Sequence, residues 1–481
     1  MLKQRVHTDT SVIEELRDIH SGEEKGSPML DIPMLESYLV LFLALALVTI
    51  FVTRWIAVPY TLGLVVVGLL LSASGLLPEV HLTPSLVLFV FLPALLFEGA
   101  WSLRWDLVRA HWRAIFFLAG PGLLLSLVII AAILYLLDGL DWGTSLLLAA
   151  ILSPTDPVAV LSLFRQLRID ERLSVIIEGE SLFNDGVAGS LYQIFLAIDL
   201  LSVHGQAGEG IQVWGEGLRL FVVGAGGGVL LGLLLGWLMS RLVRLIDEPL
   251  VETTITIITA YGSYLLADRL HISAIVTVIV AALVLGNYGR TMGMSERTQY
   301  AVDNFWSILA FITNALIFLL VGVQLNPLVL PASPGGELRS LLIAVFAIGV
   351  VLLARLALVG VLSAHLTILP RVRTAKRKQP GQQRMPRSWS LVIFWSGLRG
   401  ALSLALVLAL PMEIPNRSVL LVSTYAVVFF TLLIQGISLR WLLKRLPGTQ
   451  ERPPASEGES KHEEALPSDS QPDEQLPKTS T

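Results

Sequence analysis

Stretches of about 20 apolar residues recur along most of this chain, and each is long enough to cross the roughly 30 Å hydrocarbon core of a bilayer. A backbone at that depth has no water to bond, so such stretches satisfy themselves as helices. The composition agrees. Of 481 residues, 54% are hydrophobic and 15% are charged, against about 25% charged in a soluble globular protein. These proportions exclude a soluble enzyme, a nucleic-acid binder and a disordered scaffold. With no cysteine, a disulfide framework, a thiolate metal site and a cysteine nucleophile are excluded as well. The fold class read from the sequence is an all-α polytopic membrane protein.

Window hydropathy places about thirteen spans, at 34–53, 57–76, 83–101, 112–137, 143–164, 173–200, 214–240, 250–268, 271–288, 303–325, 339–366, 389–410 and 418–443. Loop charge tests this division. Alternate loops, with the segment after the last span, hold 21 basic residues, among them Arg104, Arg109, Arg113, Arg165, Arg168, Arg172 and the run from Arg371 to Arg387. The opposite loops hold four, Arg219, Arg269, Arg339 and Arg417. The asymmetry puts the first set and the C-terminus in the cytoplasm. An odd number of spans then leaves the N-terminus outside, in a multi-pass protein of the cell membrane.

The organisation read from this pattern is an acidic, disordered tail over 1–33, a transmembrane domain over 34–446, and a disordered cytoplasmic tail over 447–481. The first tail lacks the apolar core of a secretory signal, and Met29 or Met34 is an alternative start. Trp55, Trp101, Trp112, Trp142, Trp214, Trp389 and Trp441 lie near span ends, as an interfacial aromatic belt would. Gly224, Gly228, Gly232 and Gly236 recur every four residues on the seventh span, a stripe that lets helices approach closely. His204, His271 and His365 sit at span edges and read as interfacial. The basic run Arg371–Arg387 reads as a topology signal, with anionic lipid binding as the other possibility.

Ionisable side chains at membrane depth are costly and mark function by default. The fifth span encloses Asp156 between Pro154 and Pro157. Each proline removes a backbone donor and obstructs regular helix, so Thr155 and Asp156 are expected in an unwound segment. Carbonyls freed there, beside a carboxylate, are hard oxygen ligands suited to a small cation. The sixth span carries Glu178, Gly179, Glu180, Ser181, Asn184 and Asp185. Helical spacing puts Glu178, Ser181 and Asp185 near one face, with Glu180 and Asn184 directed to other neighbours. Glu98 lies near the end of the third span, either at a site or snorkelling to the interface. Arg355, deep in the eleventh span, needs a buried partner, and Glu180 is the best candidate for a scaffold ion pair. Gly397 and Gly400 weaken the twelfth span around Arg399. The two interrupted helices, fifth and twelfth, are seven spans apart and therefore antiparallel. Interruptions at matching positions of two halves point to a transporter's central site. Spans 1–6 and 8–13 then form inverted repeats around a linking seventh, with the breaks crossing near the midplane.

Thr155-Asp156-Pro157, the run from Gly179 to Asp185, and Gly397-Leu398-Arg399-Gly400-Ala401 together resemble the sodium/proton exchanger family of monovalent cation:proton antiporters, NhaP type. The resemblance extends over roughly 34–445. It implies a homodimer of thirteen-helix chains, each with a dimerisation part and a mobile six-helix bundle that carries the ion. Residue by residue, it implies Asp185 as the exchanging carboxylate. Na⁺ would be held at Asp185, Asp156, Ser181 and the Thr155 carbonyl, with Glu98 able to complete the site. Glu180 and Arg355 match a structural ion pair, and Arg399 matches the arginine of the second broken helix. Asn314 is a departure, standing where some members have an acid.

Exchange needs one site with two mutually exclusive occupants. Burial disfavours a charged carboxylate, so a proton and a metal ion compete for the Asp185 oxygens. If the loaded site can face either side while an empty charged site crosses poorly, exchange of Na⁺ or Li⁺ for H⁺ is obligatory. Asn184 beside Asp185 leaves one titrating group in that pair, and the resemblance points to electroneutral 1:1 stoichiometry, although Asp156 is a second acid. A K⁺/H⁺ antiporter is the main alternative and a cation channel a lesser one. An intramembrane aspartyl protease using Asp156 and Asp185 lacks its Gly-x-Gly-Asp motif. The expected partners are membrane lipids and a second copy of the chain. No enzymatic activity, cofactor, nucleotide or nucleic acid is expected.

Overall fold

The computed structural model describes residues 32–56, 60–75, 86–138, 140–203, 211–324, 336–373, 387–411 and 413–446. The two tails, the His204, Trp214 and His365 side chains and most of the basic run to Arg387 lie outside that description. Among the described residues every regular element is helical. In chain order they are α1 (Ile32–Ile56), α2 (Tyr60–Ala73), α3 (Val87–Ser102), α4 (Trp105–Leu136), α5 (Trp142–Leu152), α6 (Val158–Leu167), α7 (Glu171–Val203) and α8 (Ile211–Val243). Then come α9 (Pro249–Arg269), α10 (Ala274–Gly293), α11 (Glu296–Gln324), α12 (Gly336–Arg373), α13 (Arg387–Trp395), α14 (Ala401–Leu408) and α15 (Arg417–Arg445). Seven of the helices are long and apolar enough to cross a membrane, and several shorter ones are apolar too.

Two packing groups are evident. In one, α2, α3, α8, α9, α10 and α11 pack on one another. In the other, α4, α5, α7, α12, α13, α14 and α15 do so, and the paired halves α5/α6 and α13/α14 are its two interrupted helices. Helix α7 also packs on α8 and α10, so it sits at the seam between the groups. The glycine stripe of α8 serves packing. A Cβ at Gly232 or Gly236 would come within 2.9 Å of α10 atoms, and one at Gly228 within 2.9 Å of Ser273, which caps α10, whereas Gly224 faces open space. The opposite side of α8 stays exposed through Val222, Leu230, Leu234 and Trp237, as a surface meeting lipid or another chain does.

The tryptophan belt is only partly an interface feature. Trp55, Trp112 and Trp441 are exposed. Trp101 and Trp389 are instead core residues, at 2% and 6% exposure. The Trp101 indole has a buried-side acceptor, donating to Asp303 Oδ1 at 2.8 Å. Arg290 pairs with the other oxygen of that carboxylate and lies over the Trp101 ring. Proximity to a span end therefore does not by itself make a tryptophan interfacial.

Candidate ion site at the crossing of the interrupted helices

The fifth-span helix stops at Leu152 and resumes at Val158, and the twelfth stops at Trp395 and resumes at Ala401. Proline accounts for the first break, since Pro154 and Pro157 have no N–H to give. Glycine accounts for the second. A Cβ at Gly400 would strike the Asp156 carboxylate, and one at Gly397 would lie 2.8 Å from Arg355 Nε. The two glycines are thus gaps through which the other helices reach the break.

The breaks bond to each other. Asp156 N donates to the Leu398 carbonyl at 2.7 Å. The Arg399 guanidinium donates to the carbonyls of Ser153 and Pro154, the latter at 2.8 Å. Those carbonyls belong to the C-terminal end of α5, where helix geometry leaves acceptors unmatched and the dipole favours a cation. Asp156 Oδ1 accepts from Val158 N at 2.9 Å and so caps the N-terminal end of α6. The second break therefore supplies the cation at the C-terminal end of α5, and Asp156, within the first break, supplies the anion at the N-terminal end of α6. Thr431, on α15, accepts from Arg399 N at 3.1 Å and fixes the second break from behind.

Helix α7 faces this crossing with a hydroxyl–amide cluster. Thr155 Oγ1 accepts from Asn184 Nδ2 at 2.8 Å and shares a 2.9 Å hydrogen bond with Ser181 Oγ. Thr155 N donates to Asn184 Oδ1 at 3.4 Å. Asn184 was expected to face a different neighbour, but it binds the unwound segment itself. The reason is geometric. Positions 181 and 184 are one turn apart, and a single Thr155 side chain inserted between them reaches both. Asp185, next along the helix, has a buried Oδ1 without a hydrogen-bond partner. Among the described residues it forms no ion pair, and the Arg399 Nη1 donates to backbone carbonyls instead. The charges of Asp156 and Arg399 both act on Asp185. Thr155, Ser181 and Asn184 are buried, whereas Asp156 and Asp185 are half-buried as whole residues.

The other candidate residues fall around this core. Glu180 and Arg355 form a buried bidentate pair, one arm at 3.1 Å, and the same guanidinium donates to the Ile393 carbonyl at 2.9 Å. That pair ties α7 and α12 to the end of α13. Glu98, on α3, is half-buried and lies within electrostatic reach of Glu178 and Arg165. Among the described residues no hydrogen bond joins it to the Thr155 cluster. Glu178 accepts from the Ser102 hydroxyl at 3.3 Å across the α3–α7 seam. Asn314 has a buried Oδ1 without a partner. Tyr60, at the start of α2, feels the charges of Asp156 and Glu98. Sequence reading passed over Tyr60 because a tyrosine at a span end looks interfacial, and over Thr431 because nothing local marks it.

Among the described residues no three His, Asp or Glu side chains converge as a resident metal centre would require. The arrangement is instead a carboxylate with an open oxygen beside hydroxyls and a second carboxylate. Such a group can hold a small hard cation loosely, or a proton.

A family model described as "Sodium/hydrogen exchanger, transmembrane" matches residues 41–445. A protein of Aphanothece halophytica named Na(+)/H(+) antiporter ApNhaP is 36% identical over 393 residues, covering 81% of this chain and 70% of that protein. The Na(+)/H(+) antiporter NhaP of Pseudomonas aeruginosa is 37% identical over 378 residues, covering 77% and 83%. The Na(+)/H(+) antiporter NhaH of Halobacillus aidingensis is 33% identical over 417 residues, covering 85% and 97%. Among solved structures, the sodium proton antiporter MjNhaP1 of Methanocaldococcus jannaschii superposes with a TM-score of 0.67 at 19% identity, over 87% of this chain and 99% of that one, and so shares the fold. A family match spanning nearly the whole helical region, on a chain whose two interrupted helices cross beside an open carboxylate, leaves one assignment: this polytopic membrane protein belongs to the sodium/hydrogen exchanger family.

Proposed function

We propose that the chain exchanges Na⁺, or Li⁺, for H⁺ across the cell membrane, with cation and proton competing for Asp185. The observation that carries this reading is the unpartnered Asp185 Oδ1 beside the crossing helices. A carboxylate oxygen at that depth must be compensated by a cation or a proton, and the two exclude each other. Thr155, Ser181 and Asp156 supply the neighbouring oxygens. Arg399 balances the net negative charge without pairing with Asp185, because its Nη1 donates to the Ser153 and Pro154 carbonyls instead.

The relatives, named as Na(+)/H(+) antiporters, favour Na⁺ over K⁺ and exchange over a channel. The C-terminus lies in the cytoplasm and the N-terminus outside, as loop charge argues. The group containing α4 to α7 and α12 to α15 moves as the carrying bundle. The remaining group supplies the homodimer contact, in which the exposed apolar side of α8 is available. Asn184 contributes no second titrating group next to Asp185, which supports electroneutral 1:1 exchange. Protein in proteoliposomes, challenged in turn with Na⁺, Li⁺ and K⁺, should collapse a dye-reported ΔpH with the first two. Asp185→Asn should abolish that response while the protein remains folded, and retained exchange in this variant would overturn the assignment.

A further inference from the structure

Away from the crossing, buried polar atoms without a partner collect on one face of α7. Asp185 Oδ1, Tyr192 Oη and Asp199 Oδ2 are all of this kind. They recur every seven residues and so form one stripe along the helix. The stripe leads roughly 21 Å from Asp185 towards the end of the bundle opposite the basic loops. A transport helix has no need of three such atoms in line unless something mobile satisfies them.

At its end the stripe meets a second carboxylate. Asp199 is 4% exposed. Asp141, the N-cap of α5, is exposed and accepts from Thr144 N at 2.9 Å and from the Thr144 hydroxyl at 2.6 Å. Between the two acids stands Gly143. A Cβ there would lie 2.8 Å from Asp199 Oδ1 and 3.3 Å from Asp141 Oδ2. The space left by the missing side chain is therefore faced by carboxylate oxygens from two helices. The shorter of these distances is a little longer than the roughly 2.3–2.6 Å of hard-cation sites, and the longer one needs a small side-chain movement to reach it. Among the described residues neither acid has a basic partner, so no ion pair described there offsets their mutual repulsion.

We propose that Asp141, Asp199 and the gap at Gly143 form an outer site that holds the transported monovalent cation on its way to or from Asp185. The inference rests on the exchange reading above, including its orientation. It adds a residue set that the crossing of the broken helices does not contain. The cation neutralises the pair, Asp141 opens the site to water, and Tyr192 supplies an oxygen midway to Asp185.

The test compares Na⁺-driven exchange in right-side-out and everted membrane vesicles, for the intact chain and for Asp199→Asn, Asp141→Asn and Gly143→Ala. Asn retains the helix cap at 141 while removing its charge. Gly143→Ala keeps every ionisable group and only fills the gap, so it remains informative if Asp199→Asn fails to fold. Each variant should raise the apparent KM for Na⁺ about tenfold when Na⁺ is offered at the outer face, with no such shift when it is offered at the cytoplasmic face. Folded, active variants whose KM is unaltered at the outer face, or altered equally at both faces, overturn the outer site alone. An intact chain without Na⁺-driven exchange at either face overturns the exchange reading and this site with it.

Discussion

Glu180 and Arg355 are 1% and 5% exposed and satisfy each other with two hydrogen bonds. Removing one of them strands a full charge where water does not reach. Breaking a buried pair from one side costs about 3–5 kcal/mol, whereas replacing both partners by apolar side chains of similar size is often neutral. Glu180→Leu leaves Arg355 with only the Ile393 carbonyl, at 2.9 Å. Arg355→Met leaves the Glu180 carboxylate with no donor from α12. Each single variant should therefore lose about 3–5 kcal/mol of stability, and the double variant should lose less than either. Denaturant unfolding of the detergent-solubilised protein, followed by tryptophan fluorescence and assembled as a double-mutant cycle, reads the coupling directly. The double variant should also keep Na⁺-dependent exchange with little change in KM, because the pair braces α7, α12 and α13 and does not face the open oxygen of Asp185. Losses that simply add would refute the reasoning. So would a double variant as stable as the intact chain but unable to exchange, since that would place the pair in transport.

Two further outcomes follow from the crossing itself. Gly400→Ala sets a methyl group against the Asp156 carboxylate. The displaced carboxylate leaves Val158 N uncapped, and the apparent KM for Na⁺ should rise by about tenfold, equivalent to about 1.4 kcal/mol of binding. An unchanged KM would mean that Asp156 takes no part in the site. Asn184→Asp places a second acid beside Asp185 and removes the amide donor to Thr155 Oγ1. Na⁺ added to reconstituted vesicles should then evoke a current that the intact chain does not give, measurable on a supported membrane. Silence from the variant would count against the stoichiometric role assigned to Asn184.

What was legible in the sequence is what backbone chemistry makes local. Pro154 and Pro157 announce the first break by the donors they lack, and Gly397 and Gly400 announce the second by their missing side chains. A lone arginine among aliphatic residues at 355 demands an acid, and few acids at membrane depth were available to answer. What was not legible depends on which helix faces which. Ser181 and Asn184 lie one turn apart on α7, but only the fold shows that the unwound segment inserts Thr155 between them. Trp101 and Trp389 lie at span ends but are covered by neighbouring helices. Gly143 marks no turn in the sequence, and its meaning comes from Asp199, 56 residues later, folding back against it. Four-residue spacing also located the glycine stripe of α8 but not the partner helix, which is α10.

The central claim is that one carboxylate serves two exclusive occupants, and the pH dependence of Na⁺ affinity tests it most directly. Initial exchange rates should be measured over a matrix of Na⁺ concentration and pH in proteoliposomes. Competition at Asp185 requires the apparent KM for Na⁺ to rise with acidity, approaching about tenfold per pH unit once the proton dominates the site, while saturating Na⁺ restores the rate. A KM that stays flat across that range, with acid lowering only the maximal rate, would mean that proton and cation bind at separate places, and the account of Asp185 would be wrong.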